Sequence, residues 1–189
     1  MGIRSRLMQF CFVTLRIKKY RLLSDCRNVT GNPKTYQPVL TTGLGSISFG
    51  TNVQMGVRHS KDFFSGYIYI EARGKGSSIA IGNNVSINNN FTAVAMSQIV
   101  IGDNVLIGDN CTIEDSDGHS LHPDNRQAEG RAKPVIVGKN VFLGSNVVVL
   151  KGLIIGENSV IGNSSVVTKD IPANVVAAGN PARVIRSLI

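Results

Sequence analysis

An aliphatic residue followed directly by glycine recurs along this chain, at Ile81-Gly82, Ile101-Gly102, Ile107-Gly108, Val137-Gly138, Leu143-Gly144, Ile155-Gly156 and Ile161-Gly162. The series Val137, Leu143, Val149, Ile155, Ile161, Val167 keeps a spacing of six without a break. Four residues after most repeat starts stands a second small or aliphatic side chain: Val105, Cys111, Val141, Val147, Ser159, Ser165. An amphipathic helix needs apolar spacings of three and four, and a plain strand alternates every two residues with no turn at each sixth. A short strand and a corner, repeated every six residues, satisfies both the spacing and the turn formers between ("GDN", "GNN", "GKN", "GEN"). Glycine and asparagine accept the left-handed backbone that tight corners demand. Three sides close a triangular coil, and stacked coils make an all-β, parallel β-helix. Each aliphatic repeat start then points inward, and burying one contributes about 1.5–3 kcal/mol.

The repeats are clear over 79–171 and weaker over 43–60. Between them "HSKDFFSGYIYIEARGKGSS" loses the phase and reads as an insertion or an irregular coil. Pro172 is expected to end the prism. The chain thus divides into a short basic, helical segment (1–42), the β-helix (43–171) and a C-terminal tail (172–189). The prism is interrupted once. Ile113 and Val137 are in phase, yet the grid positions between them hold His119, Asn125 and Arg131, none of which fits a stacked aliphatic core. Residues 114–134 therefore leave the prism as an excursion loop, and a long loop in so economical a fold is usually functional.

Charge and cysteine usage narrow the class. Of the net charge of +8, residues 1–27 carry +6, from Arg4, Arg6, Arg16, Lys18, Lys19, Arg21 and Arg27 against Asp25. A nucleic-acid binder would spread basic and aromatic residues over the folded body, so nucleic acid is not an expected partner. A basic terminal segment suits either an anionic membrane surface or plain solvation. No apolar run approaches the ~20 residues that span a bilayer. "FCFV" is too short for the apolar region of a signal peptide, so the expected location is cytoplasmic, with the inner membrane face as a variant. Cys11, Cys26 and Cys111 form no CxxC pair, which argues against a disulfide framework or a zinc knuckle.

The loop carries the chemistry. His119 and His122 lie near Glu114, Asp115, Asp117 and Asp124. A histidine paired with a carboxylate is a general base near neutral pH. "IGDNVLIGDNCTI", "DGHSLH" and "IVGKNVFLGSNVVV", with "IGENSVIGNSSVVTKDIPANVVAAGNPARVIR" after them, resemble the hexapeptide-repeat, acetyl-CoA-dependent sugar acetyltransferases. Among these the chain is similar to the galactoside and maltose acetyltransferases and the polysaccharide O-acetyltransferases. The resemblance covers 79–187 and is most specific over 136–186.

That resemblance implies a left-handed β-helix and an acetyltransferase of surface-polysaccharide biosynthesis, with acetyl-CoA as co-substrate and no metal. It places the catalytic base at His119 and the second loop histidine at His122. Asp117, or equally Asp115, is the carboxylate expected to orient the ring. "NNNF" resembles the family's acceptor-contacting asparagine, giving Asn90, with Asn88 or Asn89 open because the spacing to Ile101 is short. Ser145, Asn163, Thr168, Lys169, Arg183 and Arg186 would line the coenzyme A groove, and cations there would meet its phosphates. Phe142 stands where the family often has tryptophan, which alters the packing of that groove. The family also implies a homotrimer with sites between subunits, a heterologous contact closing on a three-fold axis.

Two mechanisms compete: direct transfer with His119 as base, or an acyl-enzyme on Cys111. Cys111 fills the slot of Val105 one repeat earlier, so it reads as core. The rival functions are a non-catalytic β-helix scaffold and a gamma-type carbonic anhydrase, which needs three zinc-binding histidines. His59, His119 and His122 lack that family's spacing. The acceptor is a free, nucleotide-linked or lipid-linked sugar, with oxygen or nitrogen acetylation equally open. Phe63, Phe64, Tyr67 and Tyr69 belong to the core of the first coils or to a wall on which a sugar stacks.

Overall fold

The computed structural model describes residues 2–189 and, of Ser5, the backbone alone. The first coil runs through β1 (Asn28–Thr30), β2 (Lys34–Thr35) and β3 (Val39–Thr42), and the second through β4 (Ser46–Phe49), β5 (Gln54–Met55) and β6 (Ile68–Ala72). The third holds β7 (Ser78–Ile81), β8 (Ser86–Ile87) and β9 (Thr92–Ala95); the fourth holds β10 (Gln98–Ile101), β11 (Leu106–Ile107) and β12 (Thr112–Glu114). Beyond the interruption come β13 (Val135–Val137), β14 (Phe142–Leu143) and β15 (Val148–Val149), then β16 (Ile154–Ile155), β17 (Val160–Ile161) and β18 (Val166–Val167). Strand β19 (Val175–Gly179) opens a further coil and turns back antiparallel as β20 (Ala182–Ser187).

Every third strand pairs in parallel, which gives three faces. The first face is β1-β4-β7-β10-β13-β16, the second β2-β5-β8-β11-β14-β17-β19-β20, and the third β3-β6-β9-β12-β15-β18. The chain is thus a three-faced parallel β-helix, of the left-handed kind that its hexapeptide repeats imply. All six residues of the Val137-to-Val167 series are fully buried, as are the second-slot residues Val105, Cys111, Val141, Val147, Ser159 and Ser165. The two serines keep their hydroxyls satisfied inside, Ser159 donating to the Pro172 carbonyl (2.7 Å) and Ser165 to that of Gly162 (2.6 Å).

Glycine and asparagine divide the corner between them. The left-handed position is asparagine's: Asn104, Asn110, Asn140 and Asn158 have φ of 55–61°. Their side chains stack into ladders, as in Asn84 to Asn104 (3.2 Å) and Asn140 to Asn158 (3.0 Å). The glycine after each aliphatic is there for lack of room instead. A Cβ on Gly102 would lie 2.8 Å from the Lys139 nitrogen in the next coil.

Three boundaries differ from expectation. The prism starts at Asn28, inside the segment read as helical, because β1 already pairs with β4 and β3 with β6. This end coil stacks on one neighbour only, so it does not need the aliphatic-glycine pattern. At the other end Pro172 turns a corner, and Val176 and Ala177 still pair in parallel with Val160 and Ile161. The stretch 59–78 divides: Phe63, Ile68, Ile70 and Ala72 are core, whereas Phe64 and Tyr67 are exposed. The helical segment is α1 (Ile3–Gln9), a π-helical turn at Phe10–Thr14 and α2 (Leu15–Leu23). Ile17 and Arg21 of α2 line a hollow against Val39 and Phe49, so the helix covers the open end of the first coil.

Candidate active site

The excursion leaves the third face after β12 and rejoins the first at β13, so it stands on the edge between those faces. It is a self-paired ribbon. The Ser120 N–H donates to the Ala128 carbonyl (2.8 Å), Asp117 N–H to Arg131 (3.3 Å) and Lys133 N–H to Asp115 (2.8 Å). At its tip, His122 Nδ1 accepts from the Asp124 N–H (3.3 Å) and caps the short turn Pro123–Asn125.

Two side chains fasten the ribbon to the prism. Asp115 is fully buried, and its carboxylate oxygens accept from the Met96 and Ser97 N–H groups, each at 2.7 Å. Lys151, on the same edge one coil further, donates to Asp117 and to the Arg131 carbonyl (3.1 Å). Neither expected carboxylate therefore orients His119: Asp117 is paired with Lys151, and Asp115 with backbone. His119 is exposed, with no side-chain hydrogen bond among the described residues. Directly across the ribbon from it lies Glu129, in an antiparallel bridge. Glu129, Lys151 and His122 line a hollow of about 540 Å³ beside the ribbon. Sequence reasoning missed Glu129 because the ribbon's register sets that pairing, and no repeat reports it. Lys151 is no clearer in the sequence, because the next coil turns the same corner on Thr168-Lys169-Asp170 and so carries a cation there too.

Asn90 belongs to a different edge, between the second and third faces. Its φ is 59°, and its amide donates to Asp62 Oδ2 (2.9 Å). Asn89 is buried and consumed by loop 57–67, accepting from the Val57 N–H (2.9 Å) and donating to the Lys61 carbonyl (2.9 Å). It cannot also hold an acceptor. Asn90 lines a hollow of about 350 Å³ with Tyr67, Tyr69, Thr92 and Asn110. The Tyr69 hydroxyl donates to Glu71 (2.9 Å), which Arg73 grips with two bonds of 2.8 Å. Burial raises the Tyr69 phenol above its ordinary pKa, and the Arg73 hydrogen bonds hold the Glu71 carboxyl below its own. The result is a fixed hydroxyl beside an exposed ring.

The expected coenzyme residues also split. Ser145 and Asn163 share Asn90's edge and line a hollow of about 270 Å³ with Asn88, Leu106 and Phe142. On the adjoining second face, Leu106, Phe142, Val160 and Val176 are in register, and Arg186 pairs with Val176 and Arg183 with Ala178. Half-exposed Leu106 and Phe142 thus lead to two exposed arginines. Thr168 and Lys169 instead sit on the ribbon's edge, after β18. Cys111 is core: its thiol donates to the Gly144 carbonyl (2.9 Å), and burial pushes it up to about 11. His59 lies on loop 57–67, on the edge away from His119 and His122.

The family model for the bacterial transferase hexapeptide (six repeats) matches residues 134–169, and that for the hexapeptide repeat of succinyl-transferase matches 98–120. Both models describe hexapeptide repeats of transferases, and their matches fall on the coils before and after the ribbon. Galactoside O-acetyltransferase of Escherichia coli (strain K12) is 51% identical over 72 residues, 38% of this chain and 36% of that protein. The alignment thus spans little more than a third of that relative's length. A galactoside acetyltransferase solved in complex with coenzyme A superposes with a TM-score of 0.56 at 35% identity, covering 85% of this chain and 65% of that one. A hexapeptide-repeat acetyltransferase of Vibrio cholerae O1 biovar eltor, solved with acetyl coenzyme A, gives 0.59 at 28% identity, covering 93% and 78%.

Proposed function

We propose that this chain is an acetyl-CoA-dependent acetyltransferase acting on a sugar of surface-polysaccharide biosynthesis, with His119 as general base. The observation that carries the reading is His119 itself: a free imidazole on a ribbon fastened at two points to a rigid prism. A buried histidine, or one engaged as a cap like His122, would not serve. Acetyl-CoA supplies the activated thioester. The His119 imidazole takes the proton of the acceptor hydroxyl or amine as that atom attacks the carbonyl carbon, and the imidazolium returns it to the departing thiolate. Glu129, across the ribbon, is the carboxylate best positioned to stabilise that imidazolium, in place of Asp117.

The second face suits the coenzyme. Leu106 and Phe142 offer apolar cover, Ser145 and Asn163 hydrogen bonds, and Arg183 and Arg186 the cations that phosphates require. The Asn90 hollow suits a sugar, with the Tyr67 ring and the Tyr69 hydroxyl as its walls. These parts lie on two edges of one prism. A ring of three copies, each setting its ribbon against the neighbour's Asn90 edge, unites them and brings Thr168 and Lys169 to the Ser145 side. The acceptor is a free, nucleotide-linked or lipid-linked sugar.

Thiol release from acetyl-CoA over a panel of such sugars, wild type against His119→Ala, tests the reaction. Turnover with one acceptor and its loss in the variant are expected; turnover unchanged by the substitution overturns the role of His119. Mixing His119→Ala with Asn90→Ala chains tests the shared site. Activity regained on mixing is the expected result, and none regained places each site within one subunit.

A further inference from the structure

The whole net charge of the protein sits at one end. Residues 1–62 hold ten Lys and Arg against Asp25 and Asp62, whereas residues 63–189 hold ten cations against ten carboxylates. Those first residues form the N-terminal helix, the first coil and most of the second, so the prism is neutral along its length and cationic at its opening.

The helix at that end leaves its apolar residues unused. One side is pinned to the body: the Arg16 guanidinium donates to the carbonyls of Phe64, Ser65 (2.8 Å) and Gly66 (2.7 Å), and the Tyr20 and Tyr67 rings lie 4.8 Å apart. Val13 is the helix's one buried side chain among the described residues. Ile3 is 88% exposed, Leu7 62%, Phe10 50% and Phe12 49%, with Arg4 and Arg6 exposed among them. Large apolar side chains held this far into water mark an interaction surface. No helix of the described residues is long and apolar enough to cross a membrane.

From this we infer that the N-terminal helix docks the protein peripherally onto an anionic lipid surface. The charge decides the occupant. A second copy meeting this helix would bring the same cations together, whereas acidic headgroups complement them and the acyl boundary takes up Leu7, Phe10 and Phe12. Arg4 and Arg6 reach back to the headgroups while their stems stay apolar. Docking depends on neither the acetyl donor nor His119.

The test uses the full chain, sedimented with vesicles of phosphatidylethanolamine and phosphatidylglycerol and, separately, of phosphatidylcholine alone. Binding to the anionic vesicles only, weakened by salt, is expected. Replacing Arg4 and Arg6 by Gln removes two cations and lowers the partition coefficient about 30-fold. Because the chain has no tryptophan, Phe10→Trp gives a single indole whose emission shifts to the blue on the anionic vesicles. Equal binding to both vesicles, or to neither, overturns the inference. So does a Leu7→Ser, Phe10→Ser variant that keeps its lipid binding but forms a smaller oligomer, since the face would then be covered by another copy.

Discussion

The fourth and fifth coils and the ribbon that separates them are ordered by different forces. In the coils Ile101, Ile107, Ile113, Val137, Leu143 and Val149 stack out of water, and each position is constrained by its counterparts above and below. Between 116 and 133 the ribbon buries no residue; its own backbone pairing, the Asp115 carboxylate and the Lys151–Asp117 pair hold it in place. Stability is thus concentrated in the coils, and the proposed base stands where substitution costs the fold little.

Substitutions can push this contrast until it fails. His119→Ala is expected to lower acetyl transfer by about 10²–10⁴-fold with an unchanged melting temperature; a large loss of stability would mean that the ribbon supports the prism. Leu143→Ala reverses the pattern, costing about 2–5 kcal/mol in denaturant unfolding while the folded fraction keeps its turnover. Asp115→Ala acts at the junction of ribbon and prism. It strands two N–H donors at about 1–3 kcal/mol each, and limited proteolysis should then cut within 116–133 before the coils unfold. Smallest is a pH effect at Cys111, whose folded thiol titrates at about 11 against an ordinary 9.0. Above pH 9 the unfolded chain loses this proton first, so stability should fall between pH 9 and 11. Urea midpoints across that range should flatten in Cys111→Val.

The stack was legible in the sequence because its physics is periodic: one core slot repeated every six residues writes itself into the chain many times. The end coil at 28–42 was not, since helix α2 rather than another coil covers it, and Thr35 and Thr41 can stand in register with Met55 and Ile70, where a stacked coil needs aliphatics. His119 stands out by the reverse argument, as one of three grid residues, with Asn125 and Arg131, that the period could not accommodate. The pairing of Asp117 with Lys151 was hidden for a related reason. Asp117 is near His119 in sequence, but the register of the ribbon brings up Glu129, and register is fixed by hydrogen bonds that leave no compositional trace. Asn89 and Asn90 are neighbours of one type, yet only the structure separates the buried tether from the exposed contact.

Parallel stacking at a constant interval of about 4.8 Å makes the prism a ruler. The ribbon springs from the fourth coil and the helix covers the first, so three intervals, about 14 Å, separate the coil that bears the ribbon from the coil beneath the helix. Removing or adding one complete coil between them would change that separation by a single graduation and leave every side chain of the ribbon as it was. A sugar carried at a fixed distance from a surface would register the difference, and a freely diffusing one would not.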